Sequence, residues 1–294
     1  MNSSITADQD LGAQQAHLSS TSHDMRISNL ARFIFKKIRD SRLRGNDNTT
    51  VISERNKMTS RESLSLLDVG AGNGLFLKFF KAHGFQVSGY ELEKENVTNM
   101  KKDPVLKNET ILQGDITKMS GNEDFDLVIA SDVIEHIKDD VLAIKNLWSF
   151  VKPGGMMLIT VPAHAHLYGK RDEKWGHFRR YDMRVLLDHI EKGVLSYVIP
   201  AQAGISRSMD PSGKPQDDNI GYHIAFATQW NIVGYFVYFL FEKILHKPIN
   251  EKMRYSPTLA GRISRYIVEK ILHAEELIGG LPLGLTLVVG VRKV

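Results

Sequence analysis

From Leu64 to Pro162 the chain alternates short apolar runs with stretches whose apolar residues recur at helical spacing. The runs predict strands at Leu64–Gly70, Gln86–Leu92, Glu109–Ile116, Phe125–Ala130 and Met156–Pro162. Helices are predicted between and after them, near Asn73–His83, Lys94–Lys101, Ile134–Ile137 extended by Asp139–Val151, and Met183–Glu191. Pro153-Gly154-Gly155 reads as the turn into the fifth strand. Strand and helix in regular alternation give a parallel sheet covered on both faces, a doubly wound α/β domain.

The flanks read differently. Residues 1–24 are rich in Ser, Thr, Gln and Asp and are expected to form a disordered tail, with no signal-peptide pattern at its start. Met25–Leu43 predicts an amphipathic helix on Ile27, Leu30, Phe33, Ile34 and Ile38, whose opposite face carries Arg26, Arg32, Lys36, Lys37, Arg39 and Arg42. Apolar periodicity is lost near 41–62 and again at Val194–Asn219, so both are expected to be loop insertions in a single domain spanning 25–294. Val198-Ile199-Pro200-Ala201-Gln202-Ala203-Gly204-Ile205 and Asp40-Ser41-Arg42-Leu43-Arg44-Gly45 resemble translated bacterial palindromic repeat elements. Beyond them, Ile224–Trp230 alternates like a strand and Ile232–Phe241 is an apolar helix. A helix is expected over Pro257–Ile278, with Ser256 as N-cap and Leu259, Ile263, Ile267, Ile271 and Ile278 as its packing face. Leu285–Val291 closes the chain as a strand.

Composition narrows the chemistry. The 294 residues carry 38 Lys+Arg against 34 Asp+Glu, a formal charge of +4 that gives no ground for a nucleic-acid partner. No cysteine is present, which excludes disulfides, thiolate metal sites, iron–sulfur clusters and cysteine nucleophiles. His164-Ala165-His166 suggests a metal pair, but no third ligand stands at useful spacing, so no metal is expected.

The sharpest motif is Leu66-Leu67-Asp68-Val69-Gly70-Ala71-Gly72-Asn73-Gly74, an apolar strand entering a glycine-rich turn that opens a helix. Such a turn lets a ligand approach the backbone closely. A dinucleotide fingerprint would place its third glycine at position 75, where this chain has Leu75, and Asp68 is atypical of such a site. Glu91 ends the next strand, where a carboxylate can accept both hydroxyls of a ribose. In Gln113-Gly114-Asp115-Ile116, Asp115 can accept from an exocyclic amine and Ile116 can cover an aromatic ring.

Together these three motifs resemble the class I S-adenosylmethionine-dependent methyltransferases, in a branch of bacterial small-molecule enzymes. The resemblance implies a Rossmann-like, seven-stranded doubly wound sheet, mostly parallel with a C-terminal antiparallel strand. It implies S-adenosyl-L-methionine as cofactor, with Asp68, Gly70, Gly72 and Gly74 at the methionine portion, Glu91 at the ribose and Asp115 with Ile116 at the adenine. Ser131 and the following Asp132-Val133-Ile134-Glu135-His136 are then expected beside the methyl group. Ser131-Asp132-Val133-Ile134 is not the Asn/Asp-Pro-Pro-aromatic motif of amino-methylating DNA enzymes, which leaves a small or lipid-like acceptor.

Polar aromatic groups cluster after the fifth strand, where acceptor pockets open in such sheets. His164 and His166 are candidates for a general base, and Arg179, Arg180 and Tyr181 for gripping the acceptor. The basic helix Met25–Leu43 and the aromatic run Ile232–Phe241 add an expectation of peripheral contact with an anionic membrane, from the cytoplasmic side. The competing readings are a non-catalytic scaffold of the same fold and a nicotinamide-dependent oxidoreductase.

Overall fold

The computed structural model describes residues 25–43, 63–198, 221–245, 258–278 and 282–294. The expected tail at 1–24, most of the 41–62 loop, and Ser256 with Pro257 lie outside the described residues.

Seven strands form one sheet: β1 Ser65–Val69, β2 Gln86–Glu91, β3 Thr110–Gln113, β4 Phe125–Ser131, β5 Val151–Pro162, β6 Tyr222–Trp230 and β7 Thr286–Lys293. Their order is β3-β2-β1-β4-β5-β7-β6. The pairs among β1 to β5 are parallel, and β7 alone runs antiparallel, between β5 and β6. Strand order reverses at β1, which opens a crevice at the C-terminal ends of β1 and β4, the usual ligand position in such sheets.

The helices are α1 Met25–Leu43, α2 Leu75–Ala82, α3 Lys94–Lys102, α4 Asp140–Ser149, the short α5 Lys170–Lys174, α6 Met183–Val198, α7 Ile232–Tyr238 and α8 Leu259–Ile278. Alternate strand residues feed two apolar layers. Leu66, Ile129 and Leu158 pack with Phe33 and Ile34 of α1 and Leu77 and Phe80 of α2. Leu67, Val128 and Ile159 pack with Ile144 and Leu147 of α4 and Leu186 and Ile190 of α6. Period-two alternation sends neighbouring side chains to opposite faces, so both faces of the sheet are buried.

Three elements depart from expectation. β5 starts at Val151, and Pro153-Gly154-Gly155 lies inside it, where the pairing to β4 slips between Phe125 and Leu127 and Gly154 adopts φ 76°. α6 runs on to Val198, so the expected insertion at Val194–Asn219 begins inside a helix. Val194 is fully buried, and a Cβ on Gly193 would stand 2.6 Å from Ile144 Cγ2: the glycine is there for close helix approach to α4, not as a stop. Residues 199–219 of that segment lie outside the described residues.

The third departure is α8, where Ile263, Ile267, Ile271 and Ile278 point outward, and Leu272 with Glu275 face the protein. The Glu275 carboxylate, whose pKa burial raises, accepts the Asn231 and Ile232 N–H groups at 2.7 and 2.8 Å. It thereby satisfies two of the open donors at the start of α7. Lys36 Nζ donates to Leu277 O at 2.9 Å and ties α1 to α8. Among the described residues no helix is long and apolar enough to cross a membrane.

Candidate active site

The turn after β1 is built for close approach. Gly70, Gly72 and Gly74 all have positive φ, at 73°, 54° and 75°, and Gly74 is the N-cap of α2. Gly70 and Ala71 both donate to Tyr90 O, at 2.8 and 3.2 Å, which pins the turn to the end of β2. A Cβ on Gly72 would meet no protein atom within 4 Å, so that face of the turn looks onto open space. Gly70 and Gly74 are instead required by the protein's own packing, where a Cβ would stand 2.5 Å from Val133 and 2.4 Å from Leu106.

Two carboxylates stand close to the turn. Glu91 is 7% exposed; Oε2 accepts the Gly72 N–H at 2.7 Å and Oε1 the Glu93 N–H at 2.9 Å. Asp68 is only 2% exposed, and its Oδ2 accepts no hydrogen bond from any described residue. Burial first, and the nearby Glu91 charge second, push the Asp68 carboxyl up to about 8. A buried carboxyl of this kind stays neutral until a donor or cation from elsewhere stabilises its charged form.

The tip of β3 completes this half. Gln113 Nε2 donates to Leu92 O at 2.9 Å and Gly114 N to Glu91 O at 3.0 Å, so the tips of β2 and β3 are joined. Asp115 caps a single 3-10 turn, its Oδ1 accepting from the Thr117 N–H and hydroxyl at 3.0 and 2.7 Å. Those bonds, the hydroxyl's foremost, with Lys118 at 3.2 Å, hold its pKa below the usual carboxylate value. Ile116 is buried beside it. At the end of β4, Ser131 Oγ shares a 2.8 Å hydrogen bond with Thr160 Oγ1, and Asp132 takes φ 54°. Asp68, the glycine turn, Glu91, Asp115, Ile116 and Ser131 therefore all sit at or just beyond the C-terminal ends of β1 to β4, along one edge.

The segment after β5 is divided. His164 has φ 66°, an uncommon left-handed conformation for a non-glycine residue. Its Nε2 lies 2.9 Å from Gly284 O, so in the neutral ring Nε2 carries the proton and Nδ1 does not. Burial holds its pKa below the ordinary histidine value. The His166 ring lies 5.5 Å from it and the Tyr235 ring of α7 4.8 Å away, and Tyr235 stacks on Phe239.

Arg179, Arg180 and Tyr181 turn inward instead. Tyr181 is fully buried and its hydroxyl donates to Asp140 Oδ2 at 2.6 Å, with burial and Asp140 both raising its pKa. Arg179 pairs with Asp140 Oδ1 at 2.9 Å. Arg180 Nε reaches both Asp172 oxygens at 2.8 and 2.9 Å, and its guanidinium lies 4.3 Å from the Tyr238 ring centroid.

Asp172, absent from the residues expected to matter, is the hub of this half. It is fully buried and also accepts from His177 Nδ1 at 2.9 Å and the Tyr238 hydroxyl at 3.1 Å. Burial works against its ionisation, yet His177 and Arg180 hold its pKa down at about 2. No local motif marks such a residue, because its partners come from two separate stretches of chain, 177–180 and Tyr238.

The strand order, the glycine turn at the switch point and the carboxylates along one edge define a cofactor-binding α/β domain of the methyltransferase type. A family profile described as "Methyltransferase domain" matches residues 30–192, more than half the chain, and the protein belongs to that family. The Ubiquinone biosynthesis O-methyltransferase of Rickettsia felis is 35% identical over 101 residues, covering 33% of this chain and 41% of that protein. The enzyme of the same name from Nitrobacter winogradskyi is 34% identical over 96 residues, 32% of this chain and 37% of its own. The similarity thus spans about two-fifths of the length of these curated relatives. A solved S-adenosylmethionine-dependent methyltransferase from Mesorhizobium loti is 15% identical, covers 80% of this chain and 94% of its own, and superposes at a TM-score of 0.48.

Proposed function

We propose that this protein transfers a methyl group from S-adenosyl-L-methionine to a small, aromatic or lipid-associated acceptor, at an oxygen atom. The observation that carries the cofactor half is Asp68: a buried carboxylate with an orphaned Oδ2, beside a glycine turn whose Gly72 faces open space. These residues fit a ligand with a cationic amino-acid end, because such an end supplies the donor that Asp68 lacks. Glu91 at the β2 tip takes the ribose hydroxyls, Asp115 and Ile116 the adenine, and Ser131 stands near the sulfonium. When bound, the cofactor supplies an electrophilic methyl group that needs no further activation.

The chain's own part is therefore positioning and exclusion of water. His164, neutral and with Nδ1 unprotonated, accepts the acceptor hydroxyl's proton, and the exposed His166 relays it outward. Tyr235 and Phe239 offer aromatic faces to the acceptor, while Tyr181, buried on Asp140, braces the segment from inside. The names of the Rickettsia and Nitrobacter relatives favour a quinone-type acceptor.

Peripheral contact with the inner face of a membrane is part of the proposal. Phe236, Leu240 and Ile244 after β6, and Ile263, Ile267 and Ile271 on α8, form exposed apolar faces larger than scattered single residues would give. Sedimentation with anionic vesicles at low salt, lost near about 0.5 M, supports this contact, and absence of binding refutes it. The function itself is tested by incubating the protein with methyl-labelled cofactor and a lipid extract. A labelled, acid-stable lipid product that is missing with Asp68→Asn supports it. Cofactor binding with no labelled product from lipid or aqueous extracts would refute methyl transfer.

A further inference from the structure

A second cluster of chemistry-bearing side chains lies at the same end of the sheet, and the methyl-transfer reading does not use it. Glu135 and His136 sit on the 3-10 turn Ile134–His136 that follows β4. His177 follows Gly176, which adopts φ 74°, in the stretch between α5 and α6. Phe178 N donates to Glu135 O at 2.8 Å and holds the two stretches together. As a result a Glu135 carboxylate oxygen and one ring nitrogen each of His136 and His177 all lie within 4.8 Å of one another. The two rings meet edge to face with centroids 4.7 Å apart.

The surroundings of His177 add a further feature. Its Nδ1 donates to Asp172 Oδ1 at 2.9 Å, which fixes the tautomer and leaves Nε2 as the ring's unprotonated nitrogen. A carboxylate behind the far nitrogen is how proteins orient and strengthen a histidine metal ligand. Asp172 is itself immobilised by Arg180 and Tyr238, so the orientation is rigid. Glu135 is fully buried, and its carboxyl stands beside the two imidazole rings.

We propose that Glu135, His136 and His177 form a binding site for a divalent transition-metal ion, with Asp172 as the positioning residue for His177. Two imidazoles and one carboxylate select a zinc-like or manganese-like ion over magnesium or calcium, which prefer all-oxygen shells. Metal–ligand bonds of about 2 Å put two ligands of one tetrahedral ion about 3.3 Å apart, so binding draws these side chains together by up to about 1.5 Å. Three protein ligands leave further coordination positions open, as in sites that take an exogenous oxygen. The site stands on this geometry alone and does not depend on the identity of the methyl donor.

The test uses full-length protein without a polyhistidine tag, stripped with chelator and dialysed. Zn2+ and, separately, Mn2+ are titrated by calorimetry, and Co2+ is followed by its visible absorption. A single ion per chain is expected. His177→Ala and His136→Ala should each weaken binding at least about tenfold, and Asp172→Asn about 10- to 100-fold. His164→Ala should leave it unchanged. Thermal melting and S-adenosylmethionine affinity, measured on each variant, show that loss of metal is not loss of fold and separate this test from that of the methyl donor. Absence of stoichiometric binding of either ion, or binding that survives both His136→Ala and His177→Ala, overturns the proposal.

Discussion

Replacing Asp68 by Asn isolates the charge that the cofactor reading depends on. The substitution keeps size and shape but removes a carboxyl whose pKa stands near 8 against an ordinary 3.8. A ligand that needs the ionised form must first drive off a proton whenever the pH lies below 8. One pH unit then costs about 1.4 kcal/mol, so wild-type affinity for S-adenosylmethionine should fall about tenfold per unit from pH 8 to pH 6 and level off above 8. The sign follows from the direction of the shift: a raised acid pKa means a proton held in the free protein and released on binding.

Asp68→Asn has no such proton to release. At pH 8 and above it should bind more weakly by about 1.5–3 kcal/mol, the worth of a hydrogen bond to a charged group. Towards pH 6 the two proteins should converge, because the wild type has spent the same energy on ionisation. Calorimetry from pH 6 to 9, in buffers of different ionisation enthalpy, reads both affinity and proton release. The ligand's own amino group titrates in this range, but it affects both proteins alike, so the difference curve belongs to Asp68. Parallel curves, offset by a constant at every pH, would refute the reasoning.

Three further outcomes are expected. Glu91→Ala should weaken S-adenosylmethionine binding by about 1–3 kcal/mol, and Gly72→Val should abolish it by filling the open space at a φ of 54°; unchanged calorimetric affinity in both removes the site assignment. Asp172, held near 2, gives stability that is present above about pH 4 and lost as the pH falls through 2, so Asp172→Asn should melt lower at pH 7 yet show a flatter acid limb in thermal scans at pH 2–4. A deletion that begins at Val194 should cost core stability because Val194 is buried on α6, whereas one confined to 200–219 should shift the melting midpoint by no more than about 1 kcal/mol equivalent; equal losses from the two would refute the insertion reading.

The parts legible in the sequence were the local ones. A strand, a glycine turn and a helix follow one another between Leu66 and Ala82, and Glu91 lies one crossover away, so spacing alone put them on one edge. The misreadings share one cause: periodicity shows that a face exists without showing what covers it. The isoleucine stripe of α8 has perfect helical spacing, yet it points outward because Glu275, one polar residue on the other side, is drawn in to cap α7. Apolar periodicity fades after Gly193, yet that glycine is a contact point once α4 lies against it.

The same cause explains why the acceptor half resisted reading, and the correction bears on what the acceptor can be. His177-Phe178-Arg179-Arg180-Tyr181 has the look of a segment that grips an anion. The buried Arg180 guanidinium is tolerable only against a carboxylate, which Asp172 supplies, and the partly exposed Arg179 is paired with Asp140. With those charges paired internally, the groups around His164 are the exposed His166, the rings of Tyr235 and Phe239, and the Asp182 carboxylate, which accepts the Ala165 N–H. Aromatic faces and a carboxylate in place of free arginines are in keeping with the proposed aromatic acceptor rather than a phosphate or carboxylate. The arginines act one step back, fixing the backbone on which His164 sits: Arg180 approaches Ala163 O at 3.4 Å, and Tyr181 O accepts the His164 N–H at 2.8 Å. The pairs that removed these residues from the list of acceptor contacts are thus what hold the proposed base in its left-handed conformation.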